Sequence, residues 1–170
     1  MEMESGLGMN FTDQPSEVAR SLDDYLRGID DLKMAVEGLS LEQLRAHPIP
    51  GKWSILEVVC HLADTEIYLT DRMERTIALV RPLLIGVDET RYPDSVGYQN
   101  LNLEEEISLI SALRRRTARI LSRQPADAWG RTAIHSEVGL VTLQDLFQKA
   151  IGHFQHHLTF IHEKRNILTR

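Results

Sequence analysis

Residues 51–66 read Gly-Lys-Trp-Ser-Ile-Leu-Glu-Val-Val-Cys-His-Leu-Ala-Asp-Thr-Glu. Ser54 is a helix-capping residue, and Glu57 follows three positions later, the spacing of a capping box. The pattern predicts a helix from Ile55 to about Val80, stopped by Pro82. On a helical wheel Glu57, His61, Asp64, Tyr68 and Arg72 form one stripe. Opposite it lies an apolar arc of Ile55, Val58, Val59, Leu62, Leu69 and Met73. Periodicity leaves two readings of the stripe open: a solvated face, or polar groups turned into a pocket.

Working outward, apolar residues recur at helical spacing from Ser16 to about Leu39 (Val18, Leu22, Tyr25, Leu26, Ile29, Leu32, Val36). A short helical turn at 41–44 and a Pro- and Gly-bearing loop join this helix to the next. Residues 82–101 carry Pro82, Gly86, Pro93, Gly97 and Asn100 and show no clear period. Asn102 caps a third helix, with Glu104, Glu105 and Glu106 in its favourable first turn, running to about Ser122. Residues 131–141 read as a small hairpin or a loop around Gly139. Thr142, with Asp145 three positions on, caps a last helix from Leu143 to Leu168. Four long amphipathic helices and no dependable strand predict an all-α four-helix bundle with a long crossover between its second and third helices. Residues 15–170 supply this single domain, and residues 1–14 are expected to be a flexible tail. Arg114, Arg115, Arg116, Arg119 and Arg123 read as a solvated face near a helix C-terminus, where cations are favoured.

The chain has 170 residues, 42 % hydrophobic and 26 % charged, with a formal net charge of −6. The acidic balance argues against nucleic-acid binding. No apolar run is long enough to span a membrane, and the acidic start is unlike a signal peptide, so the expected compartment is the cytoplasm. The single cysteine, Cys60, excludes a disulfide framework and a cysteine-based zinc site within one chain, and reads as a small core residue. There is no Gly-rich phosphate loop, no G-x-S-x-G elbow and no Glu-x-x-His of a di-iron bundle.

The histidines stand apart. There are seven, and His153, His156, His157 and His162 fall within ten residues. His157 joins the apolar arc of the last helix, His153 sits at its edge, and His156 faces the wet side. His153 and His157, at i and i+4, can chelate one ion; the same spacing also suits two buried, hydrogen-bonded histidines. A third ligand would have to come from elsewhere, with His47, His61, His135 and carboxylates as candidates.

The stretch Gly51–Glu66, with its Trp-Ser helix start, Glu-Val and His-Leu-x-Asp core, resembles the signature of the DinB/YfiT-like superfamily. His153-x-x-x-His157 resembles that family's second motif. The resemblance covers nearly the whole chain. It implies a four-helix bundle with a three-histidine divalent-metal site, in which His61, His153 and His157 are the ligands and zinc or nickel is the metal. His47, His135, His156 and His162 are then left as loop or surface residues. The family includes thiol-dependent S-transferases and a mycothiol-dependent maleylpyruvate isomerase, and homodimers are common in it.

Three imidazoles leave a coordination position open, the arrangement of catalytic rather than structural zinc. The expected function is therefore a divalent-metal-dependent enzyme. The first expectation is a thiol-dependent S-transferase acting on small electrophiles, with a low-molecular-weight thiol as co-substrate. The alternatives are a metal-dependent hydrolase and a bundle that binds a ligand or partner without chemistry. Glu57, Asp64 and Tyr68 share the His61 stripe and are candidates to line the pocket, orient a ligand histidine or move a proton. Each also has a plainer reading: Glu57 as a cap, Asp64 as a surface residue, Tyr68 as packing. No residue is assigned a catalytic role, and the partners expected are a small molecule and a second copy of the chain.

Overall fold

The computed structural model describes residues 15–170, so the expected tail at 1–14 lies outside the described residues. Four long helices form the bundle: α1 (Pro15–Val36), α3 (Ile55–Ala78), α4 (Leu103–Leu121) and α5 (Leu143–Leu168), with a short α2 (Leu41–Arg45) after α1. The caps sit where side-chain chemistry places them. Ser54 starts α3 and Thr142 starts α5, each through a complete capping box; Asn102 starts α4 by accepting from the Glu104 and Glu105 amides. α3 packs along both α4 and α5, and α1 packs along the same two helices. This is the expected four-helix bundle, and the crossover from α3 to α4 is long. No described helix is long and apolar enough to cross a membrane.

A small sheet closes one end. β1 (Leu83–Leu84) runs parallel to β2 (Thr132–His135), and β2 pairs antiparallel with β3 (Gly139–Thr142). Residues 131–141 thus form the hairpin rather than the loop, with Gly139 at φ 79° where a side chain would be strained. β1 escapes sequence reading because two residues carry no period; its strand character comes only from the partner beside it. The rest of the crossover is a chain of single helical turns over 89–100, anchored by Tyr98, which is buried.

The core falls into two apolar clusters. One gathers Leu56, Val59, Leu62, Ile110, Leu158 and Ile161; the other gathers Leu69, Met73, Leu121, Trp129, Leu143 and Phe147. Between them lies a buried polar layer. Arg114 of α4, 1 % exposed, donates through Nε to Glu66 of α3 at 2.6 Å and through Nη1 to the Tyr25 carbonyl of α1 at 2.7 Å. Its guanidinium stacks 3.5 Å from the centre of the Phe154 ring of α5. Tyr25 donates its hydroxyl to the other Glu66 oxygen at 2.5 Å. Gly28 makes the room: a Cβ there would stand 2.6 Å from Arg114 Nη1.

This corrects the expectation that the arginine run is a solvated face. Arg116 does lie at the surface, paired with Glu74, but Arg114 is inside. The difference was visible in the pattern. Ile107, Ile110, Arg114, Thr117 and Leu121 share one helical face, and Arg114 occupies an apolar position of it.

Removing one partner of a buried ion pair leaves the other charge uncompensated, at a cost of about 3–5 kcal/mol. Arg114→Met is therefore expected to lower unfolding stability by about that amount, and Arg116→Met, two residues away, by no more than about 1 kcal/mol. Urea unfolding of the two variants measures the contrast; equal small losses would contradict the buried pair.

Candidate metal centre

His61 lies on α3 two turns after its cap, and His153 and His157 lie one turn apart on α5, the helix packed against it. The three meet. Each offers a ring nitrogen, and these atoms all lie within 4.8 Å of one another. The His61 and His153 Nε2 atoms are 3.1 Å apart. Ring centres are 4.5 Å apart for His61 and His157, and 4.4 Å for His153 and His157. Trp53 lies against the His61 ring, and Phe160 meets His157 edge-on.

Burial sets the charge of the group. His61 is 1 % exposed and His153 and His157 are half-buried. Burial lowers the pKa of His61 to about 4. Burial, reinforced by the neighbouring histidines, lowers His153 to about 3 and His157 to about 4. All three are neutral near pH 7, so their lone pairs are free to ligate. Tetrahedral coordination with bonds of about 2.0–2.1 Å places ligand nitrogens roughly 3.3 Å apart. The closest pair already stands near that spacing. His157 Nδ1 is buried and has no hydrogen-bond partner among the described residues, so the group is not satisfied by protein alone. The donor set suits a divalent ion such as zinc or nickel.

Of the other candidates, none has a ligand atom in this group. The Glu57 carboxylate accepts from the Ser54 amide at 2.6 Å and from His47 Nε2 at 2.9 Å, so it is occupied as a cap. Asp64 accepts from the Tyr98 hydroxyl, which ties the crossover to α3. His135 stands in β2 and accepts from the Glu137 amide, while His156 and His162 are exposed.

Tyr68 faces open space. A cavity of about 720 Å³ lies beside the cluster, with Tyr68, Arg72, Glu89, His135, Lys149 and His153 among its walls. The Tyr68 hydroxyl is buried and without a partner among the described residues. Burial, then Tyr92 and Asp64, push its pKa well above the usual tyrosine value, so it keeps its proton. Burial also raises Glu89, with Lys149 and Arg72 opposing. The helical wheel sets Lys149 on the wet side of the last helix; the structure brings it to the cavity wall, one turn before His153, at the spacing that relates His153 to His157.

Two expectations follow from these geometries. Glu57→Ala removes a cap and is expected to cost about 1 kcal/mol of stability while leaving metal content unchanged. Loss of metal in this variant would show Glu57 to be part of the centre. The second concerns pH. The folded protein refuses protons that the unfolded histidines bind below their ordinary value of 6.5. Stability of the metal-free protein should therefore be fully present above pH 7 and fall as pH drops from about 6.5 towards 4. Urea midpoints in chelator at pH 7.5 and 5 measure the fall, and His61→Leu should make it shallower.

The comparisons with known proteins agree with this architecture. The family model described as "DinB superfamily" matches residues 24–161. A protein of Oceanobacillus iheyensis named "Putative metal-dependent hydrolase" is 29 % identical over 144 residues, 82 % of this chain and 83 % of that one. YfiT of Bacillus subtilis, which bears the same description, is 24 % identical over 78 % of this chain and 75 % of its own. The solved structure of Bacillus subtilis YfiT, noted for "an unusual four-helix bundle topology", superposes with a TM-score of 0.84 at 20 % identity, covering 98 % of this chain and 91 % of YfiT. A mycothiol-dependent maleylpyruvate isomerase gives a TM-score of 0.68 at 16 % identity, over 89 % of this chain and 62 % of the isomerase. At these identities the two structures show the shared fold. With the family match running from α1 into the last turns of α5, this chain belongs to the DinB superfamily.

Proposed function

We propose that this chain is a divalent-metal-dependent enzyme in which His61, His153 and His157 hold zinc or nickel, and that it joins the sulfur of a low-molecular-weight thiol to a small electrophile. The observation that carries the reading is the convergence of three neutral imidazoles beside a cavity, with no carboxylate in the group. A divalent ion there supplies Lewis acidity, lowering the pKa of a thiol or water that it binds. The protein supplies the rest. The α3 and α5 backbones hold the three rings in place, and burial keeps them unprotonated. Tyr68 offers a hydroxyl that stays protonated, suited to donating a hydrogen bond to charge that develops on the electrophile. Lys149 and Arg72 bring positive charge to the cavity, and Asp88, Glu89, Glu137 and Asp145 bring negative charge.

No carboxylate is among the three ligating side chains, and the acidity of a thiol favours sulfur over water. A thiol is about seven pK units more acidic than water and, lowered further, would ionise without a neighbouring base; its proton passes to solvent, its sulfur forms the bond to carbon, and the electrophile's leaving group departs with the electron pair of the bond it breaks, as halide from an aromatic halide. Zinc hydrolases of the thermolysin kind place a glutamate beside the metal. On α3, Glu57 caps the helix, Glu66 is held by Arg114 and Asp64 by Tyr98, so hydrolysis would have to draw its base from the cavity wall, where Glu89 stands. The thiol-dependent isomerase among the structural neighbours is consistent with this preference. Hydrolysis is the second reading, favoured by the names of the sequence relatives. A bundle without chemistry is disfavoured because His61 is buried against His153 instead of standing in solvent.

Purified wild-type protein is expected to carry close to stoichiometric divalent metal, and His157→Ala to lose most of it with its helical circular dichroism intact. Equal metal in both would remove the site. Metal-loaded protein is expected to conjugate an aromatic halide with at least one thiol from a panel of small thiols, and chelator to abolish this. Turnover of an ester substrate without any thiol would decide for hydrolysis instead.

A further inference from the structure

The histidine cluster is reached by a second cavity. It measures about 350 Å³ and shares no lining residue with the first. His157 stands in its wall, with Trp53 and Val58 on one side and Phe160 and Lys164 of α5 on the other, and Lys52 contributes from the loop before α3. Its size is at the small end of the range for small-molecule sites.

Lys164 is the unexplained group. It is 3 % exposed, yet no carboxylate lies within ion-pair distance of its ammonium among the described residues. Its one hydrogen bond is to the Phe160 carbonyl of its own helix at 3.3 Å, and its ammonium stands 5.4 Å from the centre of the Phe160 ring, a cation–π contact that leaves it without an anionic partner. An ammonium carries three donors, so most of its hydrogen-bonding capacity is unspent. Burying a charge in this way is costly unless something pairs with it. Glu163 also lines this cavity, but it is exposed and does not reach ion-pair distance, so the two lysines leave the wall with one net positive charge. Lys52 adds a second positive charge to the same cavity instead of relieving the first. The side walls are two aromatic rings, which favour a flat or apolar body next to the charge.

We propose that this second cavity is a binding site for a small ligand that carries an anionic head, a carboxylate or a phosphate, on a flat or apolar body. Lys164 pairs with the anion from inside, Lys52 from the mouth, and Trp53 and Phe160 flank the body. The site stands on its own residues and needs no metal. Taken together with the proposed function, on which this one step rests, it gives a two-substrate reaction one cavity on each side of the histidines: His153 opens on the first and His157 on the second.

The test uses the full chain in excess chelator, so that its outcome is independent of the metal reading. Benzoate, phenyl phosphate and the neutral benzyl alcohol are titrated while tryptophan fluorescence is recorded, with Trp53→Phe as the blank. The expected result is a saturable change with benzoate or phenyl phosphate and none with benzyl alcohol. The tighter of the two anions identifies the head group. Lys164→Met, similar in volume and relieved of a buried charge, should fold with an unchanged or higher melting temperature and weaken anion binding by about tenfold or more. Lys52→Met should weaken it by a smaller factor. No saturation by either anion, equal binding of benzyl alcohol, or undiminished binding by a folded Lys164→Met would overturn the proposal.

Discussion

The ion pair between Arg114 and Glu66 is the contact through which all four long helices are held in one relation. A guanidinium inside a bundle must find its donors' partners among fixed groups, and here they come from α1 and α3, with an aromatic ring of α5 beneath it. Such a pair adds little net stability, because desolvation offsets the attraction, but it penalises any other register. A rotation of α5 would move Phe154 from under Arg114; a slide of α3 would strand Glu66. The layer also divides the core, so that each apolar cluster packs within its own half of the bundle.

The centre depends on that register. His153 precedes Phe154 in the chain, and His61 lies five residues before Glu66 on α3. Fixing Phe154 and Glu66 against the same arginine therefore fixes which faces of α5 and α3 look at each other one turn away. Gly28 belongs to this arrangement, since a side chain there would push Arg114 off its partners. Glycine inside a helix costs about 1 kcal/mol relative to alanine, a cost that close approach of the arginine explains.

Around the histidines the charged groups are distributed by use. Glu57, Asp64 and Glu66 all lie on α3 near His61, and all three are committed: to a cap, to the Tyr98 hydroxyl and to Arg114. The three rings themselves are neutral and flanked by aromatic rings, His157 Nδ1 has no hydrogen-bond partner among the described residues, and the charges that bear on them are those of Lys149 and Lys164. Near pH 7 protons do not compete for these neutral imidazoles, which leaves their lone pairs available to a metal ion. The open cavity beside His153 is large enough for a small molecule.

Local chemistry was legible in the sequence. Caps at Ser54, Asn102 and Thr142, the period of four long helices, and the one-turn spacing of His153 and His157 all depend on residues three or four apart, and such relations survive in any helix. The resemblance of residues 51–66 to a family signature singled out His61, which periodicity left between a solvated face and a pocket. Tertiary structure decided what depends on distant faces meeting. The apposition of His61 and His153 spans 92 residues. The burial of Arg114 against the expectation for its arginine run, the strand at Leu83–Leu84, the engagement of Asp64 by Tyr98, and Lys164 with no carboxylate partner among the described residues beside a second cavity have the same origin. A side chain's position on its own helix is set by the sequence; whether it meets water, a charge or another ring is set by the helix packed against it.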